Sequence, residues 1–199
     1  MAHAYAEGAR QAGAEVRVLH LGQLAFDPLF RGYGAEQPLE PDLLAAQADI
    51  RWADHLVWAY PLWWGAMPAL LKGFVDRTFL PGYAFKYRQG SSRWDKLLAG
   101  RSAELLVTMD SPPWYFRWVT RMPGHHQMKK AILEYCGIGP VRVHSFGPVH
   151  TASTGRLAQW VAAAGQLGAR QGRRPPPDRS ARPVAAPPAA ATSSPTTPT

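Results

Sequence analysis

Apolar positions along the chain follow two different periods. Met67, Leu70, Leu71, Phe74, Val75 and Thr78 recur at i, i+3, i+4, i+7, i+8 and i+11, one face of a helix that starts near Pro68. Met128, Ala131, Ile132, Tyr135 and Cys136 mark a second helix face, with Gly137 as its stop. Leu157, Trp160, Val161, Ala164 and Leu167 mark a third. Residues 2–12 and a segment opened by Pro41 also read as helices. Between them lie short apolar runs. Residues 15–21 (EVRVLHL) predict a strand, and residues 55–60, closed by Pro61, predict one covered on both faces. Residues 103–108 and 141–146 complete the set. Strands alternating with helices imply βαβ units, right-handed crossovers and a parallel sheet between helical layers.

Composition changes the picture in one place. From Arg170 onward the chain carries eight of its 19 prolines, five arginines, one aspartate and no aromatic residue. Such a stretch cannot bury enough apolar area to offset its ordering entropy, so it predicts a disordered tail over 170–199 behind a single domain over 1–169. The tail holds +4 of the net +8, and nothing beside it resembles a groove-reading motif, which argues against a nucleic-acid partner. One cysteine, Cys136, excludes an internal disulfide and a Cys-rich zinc site. The longest apolar stretch, residues 56–71, is shorter than the ~18 residues of a membrane span and is broken by Pro61, Gly65 and Pro68. The N-terminus lacks the pattern of a signal peptide. A cytoplasmic location is the expectation.

In open α/β sheets ligands bind outside the carboxyl ends of the strands. Two such ends are unusual here. Pro61, Leu62, Trp63, Trp64 and Gly65 follow the second strand, and adjacent tryptophans between prolines suit a flat apolar wall for a planar heterocycle, or else a core plug or subunit contact. Thr108, Met109, Asp110 and Ser111 follow the third, offering hydroxyls and a carboxylate, or else acting as turn residues that bond their own backbone. His125 and His126 read as a helix start rather than a metal site, and Cys136 as a small core residue. Arg117, Arg121, Lys129 and Lys130 read as solvated.

Residues 53–87 (ADHLVWAYPLWWGAMPALLKGFVDRTFLPGYAFKY) closely resemble the segment that identifies the NAD(P)H:quinone oxidoreductases, which are flavodoxin-like flavoproteins. Residues 106–149 resemble the downstream half of the bacterial members. The resemblance implies a three-layer α/β sandwich, a homodimer, FAD or FMN at the strand ends, and hydride passed from NAD(P)H through the flavin to a quinone or similar acceptor. It places Pro61, Leu62, Trp63, Trp64 and Gly65 along the flavin ring and Thr108–Ser111 at its opposite side, although the family's Thr-Thr-Gly-Gly loop is replaced here by TMDS. Phe85, Tyr87 and Trp114 would line the acceptor pocket, with Tyr87 as a proton or hydrogen-bond donor. Relative to the family pattern, the first strand and its phosphate loop are absent. The expectation is therefore either a true start upstream of Met1 or a chain with weakened flavin binding. Two further readings stand beside the enzyme: an ancillary subunit of a potassium-efflux transporter, and an inactive truncated homologue.

Overall fold

The computed structural model describes residues 1–33, 36–112, 114–175, 177–180 and 182–183. Three strands form a parallel sheet: β1 (His55–Pro61), β4 (Ser102–Thr108) and β5 (Val141–Phe146), in the order β1-β4-β5. A small antiparallel hairpin, β2 (Phe85–Tyr87) with β3 (Trp94–Lys96), precedes β4. Helices α1 (Ala2–Gln11) and α5 (Thr154–Gly172) pack together on one side, and α2 (Pro41–Trp52) and α3 (Ala69–Thr78) on the other.

Side-chain alternation in β4 divides the core. Ala103, Leu105 and Val107 join Leu43, Ile50, Leu71 and Phe74 in the larger cluster, whereas Leu106 faces Tyr5, Phe146 and Ala164. The α1–α5 contact is close because small residues line it: a Cβ on Gly168 would stand 2.0 Å from the Tyr5 carbonyl oxygen. Glu104, also on the α1 side, is buried, and the Tyr5 hydroxyl donates to it at 3.1 Å. Arg77, with 1% of its side chain exposed, spans from α3 to Glu40 at 2.8 Å and to the Pro38 carbonyl at 3.0 Å. This clamp ties the long loop before α2 to the body.

Several expectations are corrected. Residues 15–20 enter no ladder and Leu21 opens a 3-10 turn, because a strand needs a hydrogen-bonded neighbour and none lies beside them among the described residues. β1 is not covered on both faces, since Val57 and Ala59 are exposed. The helix through Met128 is widened: α4 (Pro123–His126) runs into a π-helical stretch over Gln127–Glu134. Widening spaces the buried Met128 and Leu133 five residues apart and leaves Ala131 exposed, while Cys136, beyond the helix end, is buried as expected. Helix α5 continues past Arg170 to Gly172, and Arg179 and Arg182 both bond Asp54. Residues 184–199 of the expected tail lie outside the described residues.

Candidate active site at the strand ends

The carboxyl ends of β1, β4 and β5 lie side by side, and each opens into a loop. After β1, Trp63 and Ala66 exchange two backbone hydrogen bonds of 2.9 Å. The residues between them, Trp64 and Gly65, have φ of 51° and 74°, the pattern of a type I′ turn. Glycine takes that backbone freely, but a bulky tryptophan is strained there. The turn leaves the Trp64 indole fully exposed and Trp63 largely so, while Leu62 is buried beneath. The N–H groups of Trp64 and Gly65 have no protein partner among the described residues.

Packing from below holds the turn. Gly124 sits so close that a Cβ there would be 2.5 Å from the Gly65 oxygen and 2.6 Å from Leu62 Cδ1. The approach to it is bent, with Arg121 and Met122 at φ of 58° and 53°. The next residue, His125, is buried, its Nε2 2.8 Å from Ser145 Oγ and its ring edge-on to Phe116. Burial, with the neighbouring His126, pulls its imidazole down to about 4, and Nδ1 has no partner. The helix-start reading of His125 holds, since it lies in the first turn of α4.

The second loop is tied to both neighbours. The Thr108 carbonyl accepts from Leu62 N–H at 2.7 Å, and Met109 N–H donates to Phe146 O at 2.9 Å. The carboxylate of Asp110 accepts from the backbone N–H groups of Val149 and His150 at 3.0 and 2.8 Å. These bonds, that of His150 foremost, hold its pKa below the usual carboxylate range. Asp110 thus stitches two loops together instead of bonding its own turn. Gly147 is required opposite, since a Cβ there would be 2.4 Å from the Met109 oxygen. Ser111 is half-buried, and Trp114 stands exposed, edge-on to Tyr115.

The third loop was missed by sequence reasoning. Gly147, Pro148, Thr151, Ser153, Arg156 and Trp160 line an open cavity of about 570 Å³. Ser153 caps α5, its Oγ accepting from Arg156 N–H at 3.2 Å. The available signal was a Ser-Thr pair ahead of an amphipathic helix with an arginine in its first turn.

Phe85 and Tyr87 are not part of this end of the sheet. α3 descends from the end of β1 toward the strand starts, and the hairpin that follows joins Tyr135 and Trp94 there, with Trp94 Nε1 donating to the Tyr135 carbonyl. Phe85 is buried, and Tyr87 accepts from the Tyr135 hydroxyl at 3.2 Å. Within one chain, Tyr87 and Phe85 are therefore separated from Trp63, Trp64 and Trp114, and the expected acceptor pocket is not assembled from them. Among the described residues no group of three or more His, Cys, Asp or Glu is placed to hold a metal ion, and no helix is long and apolar enough to cross a membrane.

Residues 1–168 match the family model described as a flavodoxin-like fold. The chain is 42% identical over 81 residues to a ribosyldihydronicotinamide dehydrogenase-like protein of Penicillium crustosum, an alignment covering 38% of this chain and 30% of that protein. It is 29% identical over 146 residues to an uncharacterized NAD(P)H oxidoreductase of Haemophilus influenzae, covering 71% of each. Among solved structures it is similar to a putative quinone reductase from Klebsiella pneumoniae (TM-score 0.73, 22% identity, 83% and 75% covered). It is also similar to an FMN-dependent NADH-azoreductase from Bacillus anthracis in complex with FMN (TM-score 0.65, 17% identity, 85% and 89% covered).

Proposed function

The chain belongs to the flavodoxin-like fold family, and on that premise we propose that it is a flavin-dependent oxidoreductase passing hydride from NAD(P)H to a quinone or similar acceptor. The observation that carries this reading is the Trp63–Ala66 turn. It holds a non-glycine residue in a strained backbone at the sheet's carboxyl end, and so presents an exposed indole beside two unpaired N–H groups. Strain of that kind persists where the surroundings enforce it, and Gly124 and Leu62 do so here.

The donor set fits a flavin. A flat apolar surface and two backbone donors match a planar ring with a polar edge. In the cavity after β5, with β4 between it and the turn, Arg156 and the hydroxyls of Thr151 and Ser153 offer donors to an anionic group. When bound, the flavin supplies the redox chemistry by taking two electrons from the nicotinamide and yielding them to the acceptor. The chain's own part is positional. Leu62 and the indoles exclude water from one face, and the N–H groups of Trp64 and Gly65 stabilise negative charge on the ring edge. Asp110 keeps the second and third loops in register. No side chain is required to change protonation.

The test is direct: purified protein supplied with FMN or FAD turns yellow and oxidises NAD(P)H only when a quinone is present. A protein that stays colourless overturns the assignment. One observation favours a second reading. Trp114, Trp118 and Val119 are exposed on a single short helix, an apolar surface suited to docking. The family resemblance offers two occupants for it, the second copy of a homodimer or a membrane transporter. Copurification with a membrane antiporter, without flavin, would establish the docking role in place of the enzymatic one.

A further inference from the structure

We infer that Arg117 and Arg121 make the rim of the strand-end site selective for a ligand that carries an anionic group beside a flat ring. The inference deepens the redox reading and rests on it for what that ligand is, an acceptor or the nicotinamide nucleotide. Charge in the segment after β4 is one-sided. From Ser111 to Leu133 the chain holds Arg117, Arg121, Lys129 and Lys130 and no aspartate or glutamate. All four read as solvated from the sequence, and the structure separates them. Both lysines reach Glu134, at 3.9 and 3.0 Å. Both arginines are exposed and enter no salt bridge among the described residues. The preceding acid, Asp110, is engaged by the N–H groups of Val149 and His150 and by the His150 ring at 3.2 Å.

Backbone geometry ties one of these cations to the site. Arg121 and Met122 are consecutive residues in the left-handed region, and strain of that kind persists where the surroundings enforce it. Its effect is to aim the chain. Met122 N–H donates to the Phe116 carbonyl at 2.9 Å, and Pro123 then meets the Trp63–Ala66 turn, its Cγ 3.3 Å from where a Cβ on Gly65 would stand. Two residues of chain span at most about 7 Å, so Arg121 starts within about one side-chain length of that turn. Arg117 is held over the Trp118 ring, its guanidinium carbon 5.2 Å from the centroid. Trp114 and Trp118, 63% and 72% exposed, stand to either side of Arg117 in sequence. Planar cations and flat apolar surfaces therefore alternate along one rim. A guanidinium takes a carboxylate, sulfonate or phosphate through two parallel hydrogen bonds, and the indoles take the ring beside it. A neutral ring gains only the second interaction.

The test begins without flavin, so that its failure and that of the redox reading are separate. Naphthalene sulfonate and naphthalene sulfonamide, alike in shape and different by one charge, are titrated against the full chain and followed by NMR line broadening. The parent should bind the sulfonate about fivefold more tightly at roughly 50 mM salt, and the preference should vanish near about 1 M. Arg117→Gln combined with Arg121→Gln should remove it with the thermal midpoint kept, because both side chains are exposed. Arg117→Lys combined with Arg121→Lys should restore most of it, and the salt dependence tests the same point on unaltered protein. On flavin-loaded enzyme, kcat/KM is compared for a naphthoquinone sulfonate against plain naphthoquinone and for NADPH against NADH. The ratio that falls in the glutamine variant identifies the acceptor or the nucleotide as the source of the anion. Equal binding of sulfonate and sulfonamide by the parent would overturn the inference. So would a preference that ignores salt, one that survives in the glutamine variant, or two kinetic ratios unchanged by it. A chain that takes up no flavin ends the redox reading, and the sulfonate preference then stands or falls by the binding measurement.

Discussion

Gly124→Ala perturbs the candidate site from beneath without touching a ligand. The added Cβ would stand 2.5 Å from the Gly65 oxygen and 2.6 Å from Leu62 Cδ1, with the Ala66 Cα at 3.2 Å. Ordinary carbon contacts lie at about 3.5–4.0 Å, so the backbone of the Trp63–Ala66 turn must retreat by about 1 Å. Overpacking on this scale costs roughly 1–3 kcal/mol of stability, and a shift of that size in a positioning element can cost up to about a hundredfold in function. The expected outcome is a modest fall in the thermal midpoint together with a 10- to 100-fold weakening of flavin affinity, roughly 1.4–2.8 kcal/mol. Flavin fluorescence titration and thermal denaturation measure the two effects. Gly22→Ala, where a Cβ meets nothing within 4 Å, is the control and should change neither. If Gly124→Ala lowers stability yet binds flavin like the parent, the turn does not position the ring and the reasoning fails.

Trp64→Gly should move stability and function in opposite directions. Relief of the left-handed backbone at φ 51° raises folding stability by about 1 kcal/mol, visible as a higher thermal midpoint, while loss of the indole weakens flavin binding. His55 and His125 are both held neutral by burial, with values pulled down to about 4 from 6.5. Since the unfolded chain takes up protons in that window and the folded chain does not, stability is fully present above pH 6.5 and is lost as pH falls toward 4. Urea unfolding at pH 7 and pH 4.5 should differ by about 2 kcal/mol per ring, and a flat profile would refute the burial argument. Arg77→Met removes the guanidinium from Glu40 and the Pro38 carbonyl and leaves Glu40 the Asp27 N–H alone. Denaturant unfolding should show a loss of about 3–5 kcal/mol.

Local signals carried most of the architecture. The spacing from Met67 to Thr78 located α3 almost to the residue, and the apolar run ending at Thr108 located β4, because each pattern is set by neighbours in sequence. The widened helix over Gln127–Glu134 has no such signal. Its burial of Leu133 in place of Ala131 depends on a hydrogen-bond register that composition does not encode. Residues 15–21 alternate like a strand, yet a ladder is a property of two segments, and pattern alone cannot supply the second. At the site, Trp63 and Trp64 were legible as an anomaly, and their exposure, with the indoles outside the core, follows from the turn's positive φ values. Within one chain Phe85 and Tyr87 stand apart from Trp63, Trp64 and Trp114 because the descent of α3 decides which end of the sheet the hairpin reaches. Thr151, Ser153 and Arg156 passed unnoticed as a polar connection until β5 brought them to the strand ends.

The central claim is that the Trp63–Ala66 turn seats a flavin. Equilibrium titration of the purified chain with FMN and with FAD, followed by quenching of flavin fluorescence and by the shift of its visible bands, tests this most directly. Saturable binding of one flavin per site that is weakened at least tenfold in Trp64→Ala is the predicted result. No quenching by the parent protein, or equal affinity in parent and Trp64→Ala, would contradict it.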